Sequence, residues 1–313
     1  MRDHFVIGSR GSKLALWQSE WVRARLAELR PEAEIRIEVI KTSGDVMLDV
    51  PLAVIGGKGV FTKELEEALL AEEIDLAVHS LKDLPTTLPD NLAISAVTER
   101  EDARDALILR EGAACAEAAS LRGLPPQAIV GTSSLRRQAQ LKHLRPDVSI
   151  KDLRGNVDTR LRKLDEGGYD AIILASAGLR RLGFERRINA SLAHAEMLPA
   201  VGQGALGIET RANDARTCAL VSLLEHAPTR AACTAERALL FALGGGCQVP
   251  IAAHAFVEGG RIRLDALVAA LDGRRVIRDG LTDDAAHAAR AGETLAGRLR
   301  ASGAEELLEG LTV

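Results

Sequence analysis

The sequence has no apolar run long enough to cross a bilayer. Its start, Met1-Arg2-Asp3-His4 leading directly into Phe5-Val6-Ile7, lacks the form of a secretory signal. Both absences predict a cytoplasmic protein with no membrane partner. Four cysteines, Cys115, Cys218, Cys233 and Cys247, lie scattered, without a CxxC pair or a Cys/His cluster at zinc spacing, so neither disulfides nor a metal site is expected. A P-loop is missing, and no GxGxxG follows a strand pattern, which counts against nucleotides. Positive charge is not in excess either: a net charge of −4 argues against general nucleic-acid binding. Lysine is scarce among the cations. Of 40 Lys and Arg only 8 are lysines, leaving 32 arginines, and genomic base composition can produce such a bias. Where the arginines fall is therefore more informative than their number.

What remains is a soluble globular chain of 313 residues, 47% hydrophobic and 27% charged, long enough for two or three domains. Extended and helical patterns alternate along it. Phe5-Val6-Ile7 reads as a strand, and Leu14, Trp17, Trp21 and Ala24 form one stripe of a helix starting near Lys13. Ile35, Ile37 and Val39 alternate with polar residues as in a strand. A helix over Thr62 to Glu73 precedes the short buried strand Ile74 to Val78. The middle third repeats the theme with strands at Ala128-Ile129-Val130, Val148-Ser149-Ile150 and Ala171-Ile172-Ile173-Leu174, and helices over Leu135 to Leu144 and Val157 to Glu166. The last third changes character: a helix over Thr229 to Leu243, a hairpin of Arg261 to Val268 with Arg275 to Arg278, and a helix over Asp283 to Leu299. Such alternation predicts open α/β sheets with ligands beyond the carboxyl ends of the strands, plus a smaller α+β domain.

Three kinds of loop could carry chemistry. Gly244-Gly245-Gly246-Cys247-Gln248-Val249-Pro250 follows a helix, and its glycines let the backbone bend sharply and a bulky group approach. Cys247 there is either a small buried residue in a turn or a nucleophile placed for reaction or covalent attachment. Ser9-Arg10-Gly11-Ser12 and Thr132-Ser133-Ser134 with Arg136 and Arg137 sit where strands turn into helices, a place for an anion or simply for a cap. Two arginines at a helix start oppose the helix dipole and make better sense with an anion brought to them, and Arg154 and Arg160 add donors nearby. Together they suggest a polyanionic ligand in an interdomain cleft. Asp83, after a buried strand and before Pro85, is the acidic exception. It either pairs with Lys82 or Arg10 or stabilises a developing cation.

His79-Ser80-Leu81-Lys82-Asp83-Leu84-Pro85, Gly131-Thr132-Ser133-Ser134-Leu135-Arg136-Arg137-Gln138, Leu153-Arg154-Gly155-Asn156-Val157, Leu198-Pro199-Ala200-Val201-Gly202-Gln203-Gly204 and the Gly-Gly-Cys loop together resemble the porphobilinogen deaminase (hydroxymethylbilane synthase) family. Ser9 to Gln18 resembles that family's opening, and the likeness thins only after about Val257. The resemblance implies a transferase that condenses four porphobilinogen molecules into linear hydroxymethylbilane with release of ammonia, on a dipyrromethane cofactor held as a thioether by Cys247. It implies Asp83 as the catalytic aspartate, interacting with the pyrrole N–H and steadying an electron-poor azafulvene. Arg10, Ser12, Lys58, Ser80, Lys82, Thr132, Ser133, Ser134, Arg136, Arg137, Arg154, Gly155, Arg160 and Gln203 are implied as cofactor- or substrate-binding, and the protein as a monomer.

The implied fold is α/β, with two doubly wound, periplasmic-binding-protein-like domains and a third, smaller α+β domain. Domain 1 would comprise 1–98 plus 200–220, domain 2 99–199 and domain 3 221–313, with domain motion near Thr98 and Ala200. Gly244 departs from a family position often acidic or larger, and suggests a looser cofactor loop. Two readings compete: a solute-binding protein closing on small anions, and a cysteine hydrolase with His254 or His79 as base. The missing signal peptide and the placed Cys247 and Asp83 count against the first. The lack of any motif around either histidine counts against the second.

Overall fold

The computed structural model describes residues 4–43, 62–112, 120–245 and 249–309. In chain order, β1 (His4–Arg10), α1 (Lys13–Leu29), β2 (Glu34–Ile40), α2 (Lys63–Leu70), β3 (Leu76–Ser80) and β4 (Leu92–Val97) come first. The middle holds β5 (Asp105–Leu109), β6 (Ile129–Gly131), α3 (Leu135–Leu144), β7 (Ser149–Lys151), α4 (Val157–Lys163), β8 (Ala171–Ala175), α5 (Ser176–Arg181) and β9 (Ala190–Ser191). Then β10 (Leu206–Arg211), α6 (Ala215–Val221) and α7 (Ala227–Ala242) lead to β11 (Ile251–Glu258), β12 (Arg261–Ala269), β13 (Val276–Asp284), α8 (Ala288–Ala301) and α9 (Ala304–Leu308). Contacts divide the chain into two units, Met1–Glu101 with Ala205–Arg230, and Asp102–Gly204 with Ala231–Val313.

The first unit is built on a five-stranded sheet in the order β2-β1-β3-β10-β4, in which β10 runs antiparallel to both neighbours. One face buries Phe5, Ile7, Val78 and Ile208 against Val22 and Leu26 of α1 and Leu220 of α6. The other packs Ala77 against Leu65 and Leu69 of α2. A sheet covered on both faces needs strands that are apolar on both sides, and β3, Leu76-Ala77-Val78-His79-Ser80, meets that need until its polar end at His79 and Ser80.

The second unit repeats the plan in the order β7-β6-β8-β5-β9, again with one antiparallel strand, β5, beside the third parallel one. Leu107 and Ile173 face Leu141 of α3, while Ile108 and Ile172 face Leu161 of α4 and Leu179 of α5. The same unit holds the antiparallel meander β11-β12-β13 with its own core, in which Leu239 of α7 and Leu295 of α8 cover Ala253, Leu264 and Val268.

Several strands, among them β4, β5 and the two-residue β9, have no counterpart in the sequence reading. β4 is built largely of small residues, and β5 opens on a charge, Asp105, which masks its pattern. The last long helix starts at Ala288 rather than Asp283. Asp283 and Asp284 finish β13, and the Asp284 carboxylate accepts the Ala286 N–H at 2.8 Å to cap a short 3₁₀ turn first. Helical spacing continued through a strand end, and a cap decided the boundary.

Gly244 ends α7 in a left-handed conformation, φ +67°. Its N–H donates to Phe241 O at 2.9 Å and the Gly245 N–H to Leu240 O at 3.0 Å, the paired bonds of a Schellman stop. Gly244 therefore has a local reason, helix termination, while the looser cofactor loop that the sequence suggests falls on residues outside those described. Gly244→Ala is expected to cost about 1–2 kcal/mol through that φ alone. A urea melt checks it, and an unchanged midpoint would remove the argument.

Candidate functional site

In the first unit, β1 delivers Arg10 to its carboxyl end and Ser12 to the start of α1. Ser12 is the N-cap: its hydroxyl accepts the Ala15 N–H at 3.3 Å. One turn further, buried Gln18 donates from Nε2 to Ser80 Oγ at 2.8 Å. This ties α1 to the end of β3, where the chain turns through the 3₁₀ segment Leu81–Asp83. Leu81 anchors that turn, buried and with its N–H donating to Ala205 O at 3.0 Å, so Lys82 is half-buried and Asp83 is exposed. Arg10, Ser12, Gln18, His79, Ser80 and Asp83 thereby share one small cavity of about 50 Å³. That is room for a few waters or one small polar group.

The buried side of this cavity is polar. His79 Nε2 lies 3.0 Å from Glu209 Oε2 with both side chains buried. They share the face of the sheet covered by α2, since Glu209 pairs with Ala77 across β10 and β3. Glu66 of α2 lies in the same environment, where burial first, and the Glu209 charge in addition, push its carboxyl above the ordinary carboxylate range. His79 is a base for Cys247 only in the competing hydrolase reading, which the sequence disfavours. Its partner in the structure is Glu209.

In the second unit the loop after β6 is held by its own hydroxyls. Thr132 N–H donates to Lys151 O at 3.0 Å, and Ser134 N–H to Thr132 Oγ1 at 3.2 Å. Ser133 Oγ donates to Leu153 O at 3.1 Å and accepts the Leu153 N–H at 3.0 Å, which locks this loop to the one carrying Arg154 and Gly155. Ser134 has the backbone of an N-cap for α3 but makes no side-chain cap bond. Gly155 has φ +111°, and a Cβ there would lie 2.7 Å from Thr159 Cγ2, so only glycine fits. Its carbonyl accepts Arg160 Nε at 2.7 Å, and the Arg154 carbonyl accepts Lys163 Nζ at 3.2 Å.

Arg136 and Arg137 of α3 point inward, 5% and 6% exposed, and the anion they meet is Asp105 at the start of β5. Arg136 Nη1 donates to Asp105 Oδ2 and to Leu198 O, both at 2.7 Å. Arg137 Nη2 donates to Asp105 Oδ1 at 2.7 Å and its Nη1 to Ile173 O at 3.0 Å. Gln203 Nε2 completes the cluster on Asp105 Oδ1 at 2.9 Å and on Ala103 O at 2.7 Å. Burial alone would raise the Asp105 carboxyl, but the two guanidiniums outweigh it and hold it far below the usual range. Two guanidiniums against one carboxylate leave this cluster one positive charge in surplus. Arg137 Nε is buried with no hydrogen-bond partner among the described residues. A ligand bearing carboxylates fits that surplus.

The site residues expected from sequence thus form two sets, one in each unit. Lys58 and Cys247 lie outside the described residues. Asp105, Gln18, Glu209 and Glu66 have no place among the site residues expected from sequence. For Asp105 the available signal was a charge opening an otherwise apolar run, Asp105-Ala106-Leu107-Ile108-Leu109. Among the described residues no group of His, Cys, Asp and Glu could hold a metal ion, and no helix is long and apolar enough to cross a membrane.

Among solved structures, the chain is similar to the periplasmic aliphatic sulphonate-binding protein of Escherichia coli, with a TM-score of 0.40 and 14% identity over 77% of this chain and 70% of that one. It is 51% identical over 303 residues to the porphobilinogen deaminase of Pelobacter propionicus, covering 97% of this chain and 96% of the relative. To that of Synechococcus elongatus it is 50% identical over 303 residues, covering 97% and 94%. The family model for the porphobilinogen deaminase dipyrromethane cofactor-binding domain matches residues 5–219, and that for the porphobilinogen deaminase C-terminal domain matches 230–301. Two models in chain order over most of the sequence, and relatives half identical over nearly all of it, place the chain in the porphobilinogen deaminase family.

Proposed function

We propose that this protein condenses four porphobilinogen molecules head to tail and, with one water that supplies the product's hydroxyl, gives linear hydroxymethylbilane for tetrapyrrole synthesis, releasing one ammonia per addition. Each addition breaks the C–N bond of the substrate's aminomethyl group, with the electron pair leaving on ammonia. A C–C bond forms to a pyrrole α-carbon, which then gives up its proton. The dipyrromethane cofactor, when bound, supplies the first free α-carbon and the tether that keeps the chain in place, and Cys247 is the residue assigned to hold it.

This chain's own residues supply charge and position. Asp83, exposed beside the cavity that Arg10, Ser12 and Ser80 line, is assigned to accept the pyrrole N–H and to oppose the positive charge that develops as ammonia leaves. Gln18 holds Ser80, and the buried Leu81 fixes the turn on which Lys82 and Asp83 stand. In the second unit Arg136 and Arg137 are assigned to substrate or cofactor carboxylates, with Thr132, Ser133, Ser134, Arg154, Gly155, Arg160 and Gln203 shaping the loops around them. Lys58 joins the same set on the resemblance alone. The single observation that carries this reading is the buried positive surplus around Asp105, since a pyrrole chain bearing acetate and propionate groups brings the missing negative charge.

The same reading has the enzyme acting in the cytoplasm as a monomer, with no nucleic-acid or membrane partner. Residues 221–313 are read as a third domain, a view supported by the separate core around β11, β12 and β13. The direct test is incubation with porphobilinogen. One ammonia should appear per substrate consumed, and four substrates per linear tetrapyrrole formed. Substrate binding without ammonia release would leave a binding protein instead.

A further inference from the structure

We propose that Asp105 is the positioning residue of the arginine pair: its carboxylate aims Arg136 and Arg137 and offsets one of their two charges, leaving one positive charge for a ligand carboxylate. The inference rests on the reading that this pair holds substrate or cofactor carboxylates. Asp105 itself is fully buried and meets no solvent. Each of its oxygens takes a different guanidinium, Oδ2 from Arg136 and Oδ1 from Arg137, both at 2.7 Å, so rotation of either arginine breaks a bond to a charge. Gln203 on Oδ1 fixes the carboxylate plane, and its second bond, to Ala103 O, joins the segment before β10 to the segment before β5. Leu198 O accepts from the same Arg136 Nη1 that binds Asp105, and Ile173 O accepts from Nη1 of Arg137, the terminal nitrogen that Asp105 does not take.

A guanidinium recognises a carboxylate through a fixed planar fork, so its orientation decides affinity as much as its charge does. Without Asp105, two buried like charges would repel and reorient, and two buried cations would stay uncompensated. Groups that hold a binding residue in place are needed for its geometry even when they never touch the ligand. Asp105 fills that role for both arginines at once, from a strand that carries no other polar side chain.

The test uses the full-length chain produced without porphobilinogen, together with its Asp105→Asn variant. Each is titrated with porphobilinogen at 20 °C, and intact mass reports the fraction that gains two pyrrole units. Circular dichroism confirms the fold, and thermal melting reports stability separately. The half-loading concentration of Asp105→Asn is expected to rise tenfold or more. A melting point that falls while half-loading stays within twofold would mean that Asp105 merely braces the fold, and would overturn the proposal. A half-loading concentration that falls would overturn it too, because charge alone would then govern. Should Asp105→Asn not fold, Gln203→Met, which removes the bond orienting the carboxylate together with the one to Ala103 O, is expected to raise half-loading threefold or more, and no change would overturn the proposal. Arg137→Met separates the two levels of the argument. If it leaves half-loading unchanged, the reading of the arginine pair itself fails; if it raises half-loading while Asp105→Asn does not, only the role of Asp105 fails.

Discussion

Intact-mass measurement of the purified protein is expected to exceed the mass of the 313-residue chain by two linked pyrrole units, and the Cys247→Ser variant to carry no excess. A thiolate is a far stronger nucleophile than a hydroxyl at neutral pH, so serine should not form the attachment. The two described ends of the cysteine segment are firmly held. α7 stops at the left-handed Gly244, and β11 begins at Ile251 with Ile251, Ala252 and Ala253 all buried. Losing the tether turns an effectively intramolecular addition into an intermolecular one, and the expected loss of turnover is at least roughly 10³-fold. Excess mass retained by Cys247→Ser would move the attachment to another residue. No excess in either protein would call for adding porphobilinogen to both: growth in pyrrole steps by the native chain rescues the assignment, and an unchanged mass sinks it.

Asp83→Asn should be the second most damaging change, slowing each addition by roughly 10²–10⁴-fold, the range found when a positioned charge or proton-handling group is removed. The substitution keeps the shape of the side chain and deletes its charge. Asp83 is exposed at the end of a turn whose anchor is Leu81, so stability should stay within about 0.5 kcal/mol of native. Rapid mixing with porphobilinogen, followed by mass spectrometry of the growing chain, reads the rate of each addition directly. A variant that adds pyrroles within threefold of the native rate would remove Asp83 from the chemistry and leave it as a partner of neighbouring cations.

Much of the architecture was legible because burial imposes periodicity. Ala171-Ile172-Ile173-Leu174 can only be a strand covered on both faces, and the structure places it between the cores of α3 and of α4 and α5. The turn residues were legible for the same local reason: Gly155 admits no side chain, and Ser12 caps α1. Where two local signals compete, the pattern misleads. Asp283 and Asp284 look like a helix start and belong to a strand end.

The sequence by itself determined the alternation of strands and helices, the sites of the polar loops, the family, and the residues able to supply a nucleophile, a carboxylate and a set of cations. Those properties are local or motif-bound, and neighbours in the chain suffice to show them. Only the tertiary structure decided what each charge faces. Arg136 and Arg137 sit 31 and 32 residues from Asp105 along the chain, and Gln203 98 residues from it, yet all four converge on one buried point. His79 and Glu209 meet across β3 and β10 in the same way. Electrostatic energy depends on distance through space and on exclusion from water, and neither is written in the spacing of residues along a chain.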